Sequence, residues 1–235
     1  MEDFYSRTAY LLGDEAVSRL KGARVAVFGV GGVGGYATEA LARCGVGNID
    51  LIDSDSVTES NINRQIIALR STVGMPKVTV AKTRILDINP ECCVTVYETF
   101  FSEENESLFD FSKYDYVIDA IDSLKSKIAL ILKAKMEGIP IISSMGAGNK
   151  LSPERLTVAD ISKTSVCPLA RAVRYELKRR GIKDGVKTVF STEPPVRSVG
   201  NDEEGRRLPI GSVSFVPSVA GLLLASEVIK TIAGI

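Results

Sequence analysis

The sequence predicts an α/β fold: a Rossmann-like, largely parallel sheet with helices on both faces, extended by antiparallel strands in its C-terminal part. Three observations carry this. An apolar, β-branched run, "RVAVFG" (24–29), leads directly into the glycine-rich turn "GVGGVGG" (29–35). A stretch with helical spacing and a second apolar run, "NIDLID" (48–53), complete a strand–helix–strand unit. The same alternation then repeats as far as residue 144, which implies parallel strands with crossover helices.

Each element has its own signature. "DEAVSRLKG" (14–22) reads as a short helix closing at Gly22, and "GYATEALARC" (35–44) places Ala37, Ala40, Leu41 and Cys44 on one helical face. "KVTVAKTRILDIN" (77–89) is a helix stopped by Pro90. "VTVYE" (94–98), "YDYVIDAID" (114–122) and "IPIISS" (139–144) read as strands around the helix "LKSKIALILKAKMEG" (124–138).

After residue 145 the rhythm changes. "RLTVADI" (155–161) and "SVSFVP" (212–217) read as strands, "LARAVRYELKRRG" (169–181) as a basic amphipathic helix, and the chain closes on an apolar helix from residue 219. Residues 183–212 are rich in Gly, Pro and charge, the composition of a flexible functional loop. Residues 1–235 therefore read as one domain: a nucleotide-binding half (1–145) and a substrate-side extension (146–235).

Composition narrows the chemistry. The 235 residues contain 29 Lys plus Arg, 29 Asp plus Glu, and no histidine. Zero net charge points to no nucleic-acid or membrane partner in bulk, though local patches remain open. Without imidazole there is no Ser-His-Asp triad, no Cys-His pair and no histidine-dependent metal site. Cys44, Cys92, Cys93 and Cys167 show no C-x-x-C spacing and no disulfide pattern, which suits a reducing cytoplasm. The first residues lack the marks of a secretory signal, and the last helix is expected to be too short and interrupted to span a bilayer.

Gly29, Gly31 and Gly34 fit G-x-G-x-x-G between a strand and a helix, where backbone N–H groups approach phosphate. Asp53, 19 residues after Gly34, stands where an acid binds a ribose hydroxyl in NAD or ATP alike. Asp55 follows as a second carboxylate or a turn residue. "ESNINRQ" (59–65) and "GMPKV" (74–78) favour ATP: Arg64 offers a planar fork and Lys77 a point charge for a triphosphate. Asn61 is a binding residue or a turn former. In "DAIDS" (119–123), Asp122 is placed to hold Mg²⁺, or to cap the next helix in competition with Ser123.

Taken in order, these residues resemble the ubiquitin-activating-type adenylyltransferases. That family shares G-x-G-G-x-G (here Gly29, Gly31, Gly32, Gly34), an Asp closing strand two (Asp53), S-N-x-x-R-Q ("SNINRQ", with Asn61 and Gln65), G-x-x-K ("GMPK") and D-x-x-D ("DAID"). The resemblance implies that Arg7, in "YSRTAYLLG", reaches the ATP site of a partner subunit in a homodimer. Over nearly the whole chain ("INPEC", "KTSVCPLARAVR", "VFSTE") the similarity is to the branch whose substrate is threonylcarbamoyladenosine in tRNA. The paired C-x-x-C zinc ligands usual in activators of sulfur-carrier proteins are absent.

The resemblance further implies adenylation of that nucleoside's carboxylate, with ring closure expelling AMP. It leaves room for Na⁺ or K⁺ near "GAG" (146–148), and for a cysteine desulfurase or sulfur-acceptor partner. Arg171, Arg174, Lys178, Arg179 and Arg180 form a basic stretch suited to tRNA phosphates. No cysteine lies in 183–212, so no thioester forms there; Cys167, before Pro168, reads as a structural thiol or a reactive one. The rivals are adenylation of a small carrier protein's C-terminal carboxylate and, more distantly, an NAD-dependent oxidoreductase.

Overall fold

The computed structural model describes residues 3–196 and 210–235. Seven strands form one sheet: β1 (Arg24–Phe28), β2 (Asn48–Ile52), β3 (Cys93–Tyr97), β4 (Tyr116–Asp119), β5 (Ile141–Ser144), β6 (Leu156–Asp160) and β7 (Lys187–Ser191). Their spatial order is β3-β2-β1-β4-β5-β7-β6. All pairs are parallel except β6–β7. The order reverses between β1 and β4, so the crevice at their carboxyl ends is the ligand position expected of an open α/β sheet.

Helices cover both faces: α1 (Ser6–Leu12), α2 (Asp14–Gly22), α3 (Gly34–Arg43), α4 (Lys77–Ile88), α5 (Leu124–Met136), α6 (Pro168–Arg179) and α7 (Phe215–Ala233). Alternation along β1 explains the two cores. Val25 and Val27 face one way, among residues of α2, α3, α4 and α7. Ala26 and Phe28 face the other, against α5, α6 and an aromatic group of Phe101, Phe109, Phe111 and Tyr114. Burial in that second core pushes the Tyr114 hydroxyl pKa upward.

Three expectations fail in the C-terminal part. "SVSFVP" is not a strand: Phe215 opens α7, and Pro217 sits in its first turn, where the missing N–H costs nothing. The strand lies inside the expected loop, as β7, between β5 and β6. The remainder of that loop, 197–209, is outside the described residues. Finally, α7 is 19 residues long and apolar enough to cross a membrane by length and composition. Here it packs into the core instead, burying Val216, Ala220, Leu224, Ala225 and Val228.

Candidate active site

The glycine turn is shaped by backbone contact. A Cβ on Gly34 would lie 1.8 Å from the Gly29 carbonyl oxygen, and one on Gly29 would lie 2.7 Å from that of Ala120. Gly29 also has φ +90°, a conformation that side chains disfavour. The turn is therefore wedged against the end of β4, at the switch point, with α3 starting immediately after it. Its free N–H groups and the helix start form an anion-binding position.

The "SNINRQ" segment folds onto that turn. The Cβ position of Gly32 is 3.4 Å from Arg64 Cγ, and that of Gly31 is 3.8 Å from Gln65 Nε2. Gln65 is 6% exposed, yet its Oε1 has no hydrogen-bond partner among the described residues. A buried amide oxygen normally has one, so this acceptor beside the turn calls for a donor from a water or a ligand. Asn61 is buried, and its Oδ1 accepts the Thr58 N–H at 3.2 Å, closing a capping box on a short 3-10 helix, Glu59–Asn61.

Asp53 bridges β2 to the turn. Its Oδ2 accepts the Val30 N–H at 2.7 Å and its Oδ1 accepts the Asp55 N–H at 2.9 Å. Asp55 Oδ2 in turn holds Lys77 Nζ at 2.7 Å. Lys77 is 5% exposed whereas the Asp55 carboxylate faces solvent, so a buried ammonium is paired with a solvent-facing acid. Arg64 Nη1 donates to Ser60 O at 2.8 Å and to Asn63 Oδ1 at 3.0 Å, and among the described residues the rest of its fork has no hydrogen-bond partner.

Across the turn, Ser123 takes the cap of α5 by accepting the Ser126 N–H, and the Asp122 carboxylate stays exposed. Beneath it lies a group that sequence patterns did not reveal. Asp119 Oδ2 accepts from Lys127 Nζ at 2.8 Å and Ser143 Oγ at 2.5 Å, while Asp119 Oδ1 accepts the Ile121 N–H at 3.1 Å. Asp119 and Lys127 are both fully buried. The available signal was Lys127 itself, on the apolar face with Leu130, Ile131 and Ala134, a charge that burial obliges to find a partner.

Other expected residues lie elsewhere. Arg7 is on α1, whose start is held at the amino-terminal edge of the sheet by Tyr5 packing on Gly45 and bonding Glu91. Within one chain it does not join the crevice. Of the basic stretch, Arg174 binds the carbonyl and hydroxyl of Thr164, and Arg179 and Arg180 pair with Glu176. Hydrogen bonding to Arg180 holds the Glu176 carboxyl below its usual range. Arg171 and Lys178 are exposed. Cys167 is buried at the start of α6, its Sγ 3.6 Å from the Cβ position of Gly146. Near it Lys150, 3% exposed, donates to the Glu193 carbonyl at 2.9 Å, and burial lowers its pKa.

A model of the ThiF family matches residues 5–235. The tRNA threonylcarbamoyladenosine dehydratase of Bacillus subtilis is 50% identical over 236 residues, spanning 96% of this chain and 92% of the relative. The crystal structure of the Escherichia coli enzyme of that name in complex with AMP superposes with a TM-score of 0.91 at 40% identity, covering 98% of this chain and 94% of the other. Its complex with ATP gives 0.88 at 39% identity, covering 98% and 93%.

Proposed function

The chain belongs to the ThiF family, and we propose on that premise that it uses ATP to dehydrate threonylcarbamoyladenosine in tRNA to the cyclic form. The single observation that carries the reading is the seating of Arg64 and Gln65 on the glycine turn. That arrangement gives a triphosphate a cation and an amide where charge develops as pyrophosphate leaves. The substrate assignment follows the relative of that name, half identical along nearly the full length of both chains.

The nucleoside carboxylate attacks the α-phosphorus, the bond to pyrophosphate breaks, and an acyl-adenylate forms. Arg64, with Lys77 after it leaves Asp55, meets the charge that accumulates on the phosphates. Turn N–H groups hold phosphate oxygens, Asp53 faces the ribose, and Gln65 Oε1 accepts from the nucleotide. The modification's own ureido group then attacks the activated carbonyl, loses its proton and expels AMP. An intramolecular nucleophile has a large effective concentration, so the step requires neither histidine nor an enzyme thioester.

Asp122 suits Mg²⁺: it is an uncapped, exposed carboxylate beside the turn, and a phosphate-bound Mg²⁺ commonly takes only one or two protein carboxylates. Magnesium would supply charge neutralisation on the leaving pyrophosphate. Arg7 completes the site of a second copy in a homodimer, a Na⁺ or K⁺ ion sits near Gly146–Gly148, and a cysteine desulfurase or sulfur acceptor is a further partner. Arg171 and Lys178 contact tRNA phosphates, in a cytoplasmic setting.

The test is ATP–pyrophosphate exchange with modified tRNA, unmodified tRNA and no RNA. Stimulation by modified tRNA alone is expected. Equal exchange in all three, or exchange driven instead by a small carrier protein, overturns the assignment.

A further inference from the structure

Ile210 to Pro217 crosses the carboxyl edge of the sheet. At one end the Cβ position of Gly148, after β5, falls against Ile210 Cγ2; at the other that of Gly32 is 3.4 Å from Pro217 Cβ. Two asparagines hold this rim. Asn149, at φ +56°, donates its N–H to Gly211 O at 2.8 Å and accepts the Gly211 N–H on its Oδ1 at 2.6 Å. Asn63, from the opposite side, donates Nδ2 to Ser212 O at 3.0 Å.

The other half of the Asn63 amide is also in use: Oδ1 accepts from Arg64 Nη1. Only one amide orientation satisfies both neighbours, since a carbonyl can only accept and a guanidinium can only donate. We propose that Asn63 is a positioning residue: its amide orients Arg64 toward the nucleotide while tying that orientation to the Gly211–Ser212 rim. Resting on the adenylation reading above, this extends the site to Asn63, between the Asn61 and Arg64 of "SNINRQ". An arginine held this way enters the phosphate site with part of its freedom already lost, which favours its contact with the triphosphate.

A double-mutant cycle on the full chain tests it, with ATP as the probe and affinity read by calorimetry. Asn63→Ala weakens ATP about fivefold in the native background, the scale of one ordinary hydrogen bond, and less than about twofold in an Arg64→Ala background. Equal factors in both backgrounds, or no loss in the first, overturn the proposal. Amide hydrogen exchange over 210–217 reads the rim: Asn63→Ala speeds it, and an unchanged rate overturns the tie to Ser212. Neither readout involves tRNA. Failure of modified tRNA to stimulate pyrophosphate exchange by the native chain would sink the functional reading, while the ATP cycle would still decide the role of Asn63.

Discussion

The crevice half of the sheet and the part that follows Met145 are built by different kinds of contact. From β1 to β5 the site rests on neighbours close in sequence: a turn between consecutive elements, an acid one strand away, a carboxylate at the next strand's end. Beyond Met145, order depends on distant tethers. β7 inserts between β5 and β6, Glu193 caps the Leu151 and Ser152 N–H groups, and α7 returns to pack on α3. Chemistry is concentrated in the locally determined half, and the approach to it is framed by the other.

Variants can sharpen this contrast. The largest effect is expected from Gly34→Ala, which drives a Cβ into the Gly29 carbonyl; ATP binding should vanish and stability fall by about 3 kcal/mol or more in urea titration. Lys127→Met leaves Asp119 buried and unpaired, costing about 3–5 kcal/mol, whereas adding Asp119→Asn should restore part of the loss. If the single and double variants are equally unstable, the ion pair is not the anchor of the Asp122 turn.

In the C-terminal part, Arg174→Ala should cost about 1–2 kcal/mol through its lost bonds to Thr164. Arg171→Glu with Lys178→Glu should instead leave stability unchanged, raise the KM for tRNA several-fold and flatten its salt dependence. A reversed pattern would exchange the roles of these basic residues.

The smallest effect concerns Glu39 on α3. Burial pushes its pKa up, but hydrogen bonds from Arg84 and Arg43 outweigh that and hold it below the usual glutamate range. Its folded value is thus below its unfolded value, so the stabilisation is present above the ordinary glutamate pKa and is lost as pH falls through the folded one. Glu39→Gln should remove about 1 kcal/mol at neutral pH and flatten the acid limb of stability, measured by denaturation between about pH 7 and pH 3.

Legibility in the sequence followed the same division. The glycine turn and Asp53 stood out in the sequence because each sits at a fixed offset from an element with clear periodicity, whereas Gln65 entered only through the family resemblance and the structure alone seats it against Gly31. Arg174 was misleading: helical spacing put it on a face with Arg171 and Lys178, but a side chain that long can turn inward to bind Thr164. "SVSFVP" alternates like a strand, yet Phe215 opens α7 and Pro217 packs on Gly32 from that helix's first turn.

By itself, the sequence determined the α/β alternation, the phosphate turn and the absence of imidazole chemistry, because these depend on residue type and local period. Only the tertiary structure decided that Asp119 and Lys127 neutralise one another, that Lys77 rests on Asp55, and that Asn63 joins Arg64 to Ser212. Side-chain pairing across tens of residues is fixed by where the backbone places each group and by the cost of leaving a buried charge or amide unmatched. No local pattern encodes that.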